Sequence, residues 1–411
     1  MRVGKFSALI LMIMLMIAFR TDTLWLNPAQ QVSISQSYSL VAWEMGNLLD
    51  KWVHRVSNLV SPNSVDQSKV LQRYFDLQAK ISSEIENRDD MAGGKANNSS
   101  YDGGFSIDEL VLERDSYKND VEEVLESAIS LAVNETGLGL MFQAVFPPVD
   151  IRLTRTPYLL VASPRDSIFR KYEVLLRPET DMDERIRMED ELQTQYDLSA
   201  VTIQIGGLAA YPAPVAHNSQ LRAVLGTAAH EWVHHYMFFR PLGQAMFSSE
   251  SMVTINETVA DIIGRYLAGH AYGILTSEGM DLILDPISSD SGMQTSRNKE
   301  FDFSEKMRET RFHVDDLLMS GEVEVAEVYM EQRRREFVEN GYHIRKLNQA
   351  YFAFYGSYAE SPASSSSIGD QLNRMVELSP DFKTFVGEIA EVSSYDQFLG
   401  TLSELEHSAS Q

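Results

Sequence analysis

The sequence predicts an α+β fold, mainly helical, with a small twisted sheet beside a helix that carries two histidines four residues apart. Three observations predict it. Long stretches before residue 140 and after residue 250 repeat apolar side chains at helical spacing. Four short segments between 149 and 205 read as strands: two alternate apolar with polar residues, Tyr158–Ala162 is a short apolar run and Lys171–Leu176 is strand-like, with Pro, Gly and charged turns between them. Directly after them, Leu221 to Phe239 forms the strongest helical pattern in the chain and contains His230-Glu231-Trp232-Val233-His234.

The elements follow in order. In the first 27 residues, Arg2 and Lys5 precede an uncharged apolar run from Phe6 to Phe19, and Arg20 follows it. This is the layout of a signal sequence. No small-x-small cleavage site follows, so the run reads as an uncleaved membrane anchor, with a cleaved, secreted form as the alternative. Positive charge ahead of the run directs the remaining chain outside the cytoplasm. Residues 28–140 form a helical region with helices at Ser35–Leu59, Val70–Ile85 and Ile107–Val133. Within it, 87–104 is rich in Asp, Gly, Asn and Ser and reads as a mobile loop. Residues 141–300 hold the strands, around Val149–Leu153, Tyr158–Ala162, Lys171–Leu176 and Val201–Ile205, and the motif helix, which Arg240-Pro241-Leu242-Gly243 stops. Residues 301–411 are a helical C-terminal region with a Ser-rich loop at Ser361–Ser367 and a frayed tail after Leu405.

Composition narrows the function. The chain has 411 residues and a formal net charge of −24, which repels DNA, RNA and anionic lipid. A nucleic-acid partner is therefore not expected, and membrane contact is expected through the N-terminal anchor. The absence of cysteine removes thiolate metal sites and cysteine nucleophiles, so a metal must be held by His, Asp and Glu.

The HExxH spacing has a physical reason. Residues four apart share a helix face, so His230 and His234 can reach one ion. Glu231 is turned about 100° away from His230, outside the ligand set but within reach of a water on that ion. Downstream lies Asn256-Glu257-Thr258-Val259-Ala260-Asp261, with its two acids four apart on one face. Together the two motifs resemble those of the gluzincin metallopeptidases, HExxH followed by NExxxD. The resemblance implies a zincin-like fold, a Zn²⁺ cofactor with Glu257 as third ligand, and Asp261 accepting a hydrogen bond from His230. A carboxylate behind a ligating histidine fixes its tautomer and raises its basicity. Ala223, Gly226, Thr227, Ala260 and Gly264 are small enough to let the two motif helices approach, although ordinary helix packing explains them equally well.

Asn348-Gln349-Ala350 followed by Ser357-Tyr358 is similar to an Asn-Asn-Ala … Thr-Tyr element of a family of bacterial putative aminopeptidases that also carry HExxH and an exported N-terminus. Arg333-Arg334-Arg335 and the stretch from Phe382 to Leu402 fit the same pattern. The likeness spans about residues 222–270 and 305–405. Two departures stand out. Gln349 replaces the second Asn, and Ile205-Gly206-Gly207-Leu208-Ala209-Ala210 stands where an aminopeptidase carries Gly-x-Met-Glu-Asn. No residue for gripping a substrate α-amine is evident.

The expected activity is hydrolysis of a peptide or protein substrate. Glu231 would act as general base toward a zinc-activated water, and Tyr358 as oxyanion donor, with Tyr355 and His343 as further candidates. The strand Val201–Ile205 could pair with extended substrate backbone. His235 points off the ligand face and is read as structural, as are the lone His270, His313 and His343. The alternative is a membrane-anchored binding or scaffold protein on an inactive zincin fold. Retention of Glu231 speaks against it, because a purely structural site has no use for that carboxylate. The sequence sets neither the oligomeric state nor endo- versus exo-action.

Overall fold

The structure, a computed structural model, describes residues 26–47, 66–92, 106–277 and 301–410. The apolar run Phe6–Phe19, the expected helix beyond Asn47 and most of the 87–104 loop lie outside these residues. Among the described residues no helix is long and apolar enough to cross a membrane. The chain is mainly helical with two small sheets, in line with the expected α+β class.

Helix α1 (Pro28–Ser33) begins with a reciprocal capping box between Asn27 and Gln30. The next helices, α2 (Gln67–Ala92) and α3 (Ile107–Glu135), pack on each other. α2 runs to Ala92, through the first residues of the expected loop, because Glu84, Glu86 and Arg88 keep helix propensity high where apolar periodicity has ended. A capping box of Ser106 and Glu109 starts α3.

All four expected strands form: β1 (Ile151–Thr154), β2 (Tyr158–Pro164), β3 (Tyr172–Leu176) and β4 (Leu198–Gln204). Two further elements appear. Helix α4 (Met182–Tyr196) links β3 to β4, and β5 (Ala213–Ala216) precedes the motif helix. One sheet is antiparallel in the order β3-β2-β4, and the other is the parallel pair β1-β5. The chain after β4 couples them. The amide of Ala216 donates to Gly206, and that of Leu208 to Pro214.

The sheet margins are closed by side chains. Glu126 and Glu122 on α3 accept from the amides of Ile151 and Leu153, at 2.9 and 2.7 Å. Arg152 neutralises the fully buried Glu122 at 3.1 Å. On β4, Thr202 donates its amide to Glu189, while its carbonyl accepts from Arg345 and that of Ala200 from Asn348. Substrate pairing along the first part of Val201–Ile205 is therefore not open, since those backbone groups already have partners. Buried Glu189 is held by Arg345 and Lys346, which keeps its carboxyl down despite the opposing effect of burial.

The motif helix α5 (Leu221–Phe238) is followed by the short α6 (Pro241–Gln244) and by α7 (Glu250–Ser277), which packs along α5. Around them lies the largest buried cluster, joining Tyr74, Leu125, Ile151, Trp232 and Val259 with Phe385 and Phe398. The last two belong to α12 (Phe382–Ala390) and α13 (Tyr395–Ala409), which follow α11 (Ile368–Leu378). Helix α13 continues to Ala409, past the expected fraying point. A second cluster holds α8 (Phe303–Met319), α9 (Val323–Glu339) and α10 (Gln349–Tyr355) together through Met307, Met330, Phe337 and Phe352.

One polar contact ties α2 to the turn before α5. The hydroxyl of Tyr74 lies 2.7 Å from Nδ1 of His217. Burial holds His217 down at about 3. Its folded pKa is below its unfolded value, so the unfolded state binds more protons between these values. Stability then falls as pH drops from about 6.5 toward 3. This group should cost on the order of 3 kcal/mol by pH 4. His217→Gln keeps an acceptor for Tyr74 and should give a shallower pH slope in urea titrations between pH 7 and 4. Equal slopes in variant and parent would remove His217 as a source of acid sensitivity.

Candidate metal centre

Helix α5 places His230 and His234 on one face, and their Nε2 atoms stand 3.1 Å apart. The carboxylate of Glu257, from α7, approaches both: Oε2 is 3.6 Å from Nε2 of His230 and 3.7 Å from Nε2 of His234. Donors bound tetrahedrally to zinc at about 2.0–2.1 Å stand roughly 3.3–3.4 Å from one another. The three atoms form a triangle of that size. Among the described residues this is the one trio of metal-ligand side chains that converges. The donor set of two imidazoles and a carboxylate fits zinc.

Asp261, one turn beyond Glu257, lies 3.0 Å from Nδ1 of His230. Nδ1–H donates to the carboxylate, which leaves the lone pair on Nε2 directed into the triangle. Close helix crossing makes this possible. A Cβ added to Gly264 would stand 2.9 Å from the backbone nitrogen and 3.0 Å from the Cα of His230, so any larger residue there would push α7 away from His230. Gly226, by contrast, faces open space. We expect Asp261→Asn to weaken zinc affinity about 10–100-fold, the usual loss for an outer partner of a ligating histidine. Parental affinity in that variant would reduce Asp261 to an ordinary helix residue.

Glu231 is buried beside the triangle and is not one of its three members. The chain leaving β4 passes over its carboxylate. A Cβ on Gly207 would overlap Oε1 of Glu231 and stand 2.8 Å from Cγ2 of Thr227, so glycine is required for this approach. Burial pushes the Glu231 carboxyl up, and the charges of His230 and His234 pull it partly back. Burial would also raise Glu257, but the two histidines facing it outweigh that effect and hold the carboxyl well below its usual range. At His230, burial favours the neutral ring, yet Asp261 and Glu257 together lift its pKa.

Tyr358 reaches this cluster, its ring centroid 6.4 Å from that of His230. Burial and the negative charge of Glu257 push its hydroxyl well above the usual tyrosine range, so it stays protonated and can donate. Its loop is tied on both sides. Arg170 donates to Oγ of Ser357 at 2.6 Å, and the amide of Ala359 donates to Oγ1 of Thr258 at 3.0 Å. Glu360 pairs with Arg265 of α7. The helix that carries Glu257 thus also holds the tyrosine loop. Arg170 packs over Phe354 and pairs with Glu173 at 3.1 Å.

The remaining candidates lie elsewhere. Tyr355 packs against Tyr351, 4.5 Å away, and Phe354, 5.1 Å away, within the aromatic stretch. His343 is solvent-exposed in the turn after α9. His235 is half-buried against Tyr211, and desolvation of its ring holds it down at about 4, in keeping with a structural role. His270 rests against Tyr266 and His313 against Tyr329. Sequence reasoning missed Arg170 and Glu173, which carry no motif of their own, and gave Gly207 no role. Thr258 sat inside the Asn256–Asp261 motif without an assigned role. Comparison with known protein families, curated proteins and solved structures finds no match for this chain.

Proposed function

We propose that the chain is a zinc-dependent peptidase of the gluzincin type on a zincin-like fold. The observation that carries this reading is the convergence of His230, His234 and Glu257 on one point, with Asp261 behind His230 and Glu231 adjacent but outside the trio. A small sheet beside an HExxH helix, followed by a helix bearing the third ligand, is consistent with the zincin arrangement. When bound, zinc supplies Lewis acidity and brings the pKa of a water toward neutrality.

The chain's own residues do the rest. Glu231 accepts the proton of the attacking water and returns it to the leaving amine. Its buried position favours the first of these transfers, because burial pushes the carboxyl up and a carboxylate with a raised pKa is a stronger base than one in the ordinary range. Tyr358 donates to the developing oxyanion from a loop fixed by Arg170 and Thr258. Extended substrate backbone would lie along the segment after β4 that passes Glu231, beyond the positions that Glu189, Arg345 and Asn348 occupy.

The test is metal analysis and peptide hydrolysis on one preparation, with casein and a panel of aminoacyl reporters as substrates. About one zinc per chain and chelator-sensitive hydrolysis are expected. Bound zinc without hydrolysis of any substrate would favour the inactive scaffold, and absence of zinc would remove both readings.

A further inference from the structure

Two loops near the C-terminal end of α5 present phenylalanine to solvent. Phe142 is 95% exposed and Phe247 82% exposed, and Leu140, Phe146, Phe238 and Phe239 are each about half exposed. The loops meet, because the ring of Phe146 lies 5.1 Å from that of Phe239, which in turn lies 5.2 Å from that of Phe238. Single exposed apolar residues are ordinary, but the joined rings of Phe146, Phe239 and Phe238, on the same two loops that carry Phe142 and Phe247, mark an interaction surface.

Charge gives an independent sign. From Leu138 to Val149 the chain has no charged residue, and from Tyr236 to Ser249 it has only Arg240, although its net charge is −24. Within these two loops there is no acidic residue, and the one cation, Arg240, faces Glu391 at 4.0 Å. The tip is also held outward. Phe142 and Gln143 sit at positive φ, 62° and 59°, a region uncommon for bulky side chains. Two hydrogen bonds fix that shape, from the amide of Leu140 to Ala144 at 2.7 Å and from Asn134 to the carbonyl of Gln143 at 3.0 Å.

We propose that this face docks on a neutral, zwitterionic lipid bilayer, with Phe142 and Phe247 entering the headgroup–acyl boundary. The phenyl groups stand on two loops whose own residues include no acid and one cation, Arg240, which Glu391 partly neutralises, and that near-neutral surface suits a zwitterionic bilayer. The sequence points to the same occupant. The apolar run Phe6–Phe19 ends six residues before Trp25 closes the undescribed N-terminal segment, and six residues can span at most about 20 Å. A body tethered at that length meets the bilayer constantly. Docking also has a consequence that rests on the peptidase reading. Phe238 lies one turn beyond His234, about 6 Å along α5, so the metal centre would work close to the lipid surface. Its substrates would then be peptide segments lying on, or emerging from, the membrane.

The cysteine-free chain makes the test direct. Ala144→Cys and Ser248→Cys flank the two exposed tips, and Val328→Cys on the separate α9 serves as control, being 71% exposed. Each full-length variant is labelled with an environment-sensitive dye and reconstituted into phosphatidylcholine vesicles with or without nitroxide lipid. Dyes at 144 and 248 should shift to the blue and be quenched by the nitroxide, and the dye at 328 should not. Adding Phe142→Ser and Phe247→Ser should lower the quenching at 144 and 248 at least several-fold, since apolar immersion drives it. Quenching at 144 and 248 no greater than at 328, or unchanged by the two serines, would overturn the proposal. So would a blue shift that needs no lipid and grows with protein concentration, which would make the face a self-association surface. None of these readouts depends on zinc or hydrolysis, so failure of docking is distinguishable from failure of the peptidase reading.

Discussion

Glu257→Ala is expected to lower zinc content from about one ion per chain to a small fraction of that, with the fold retained. The carboxylate is one vertex of a three-donor triangle, and alanine offers no replacement. Two imidazoles remain 3.1 Å apart, and two ligands hold zinc far less tightly than three. The change is tolerable for the helix, because alanine is its best former and Ala260 and Val259 still pack in the core. In the metal-free chain the same substitution also leaves His230 with Asp261 as a partner. The measurement is metal content after dialysis, with circular dichroism to check the fold and His234→Ala as a parallel. A full complement of zinc in Glu257→Ala would mean that the third ligand lies elsewhere and that the gluzincin assignment is wrong.

Local patterns account for what the sequence made legible. His230, Glu231 and His234 share one helix, and Glu257 and Asp261 share another, so each half of the site is set by helical spacing alone. The four strand segments were legible for a similarly local reason, two by alternation, one as a short apolar run and one as a strand-like stretch between turns. Helix α4 escaped notice because only Met188, Leu192 and the polar Glu189 are buried along it, among many charges that read as turns. β5 is four residues long with Pro214 inside it, and proline ordinarily argues against a strand. Here Pro214 pairs with Arg152 in a parallel register and needs only its carbonyl, which accepts from Leu208.

Longer-range features left no local trace. Arg345 closes the edge of β4 from 143 residues away and binds Glu189 from 156 away. Arg170 reaches Ser357 across 187 residues. Nothing in the neighbourhood of these residues distinguishes them from surface cations, because their role depends on which elements meet in space. Gly207 and Gly264 are intermediate cases. Both are visible as small residues, but only the approach of Glu231 to one and His230 to the other shows why a side chain is excluded there.

Glu231→Gln should separate metal binding from catalysis. The side chain is buried next to the triangle without joining it, so zinc should stay near one per chain. Glutamine is nearly isosteric and fits under Gly207, where a bulkier group would collide with the strand end. It also removes a buried carboxyl whose charged form is disfavoured by burial, so the variant should be at least as stable as the parent. What glutamine cannot do is accept a proton from the attacking water. General-base catalysis contributes roughly 10²–10⁴-fold, and hydrolysis should fall by that order. Tyr358→Phe should cost less, because it removes one donor to the oxyanion and leaves proton transfer intact. Comparing the two variants at equal zinc content assigns the roles. Full zinc with undiminished hydrolysis in Glu231→Gln would refute the mechanism, whereas loss of zinc would make Glu231 a ligand or a support of the site.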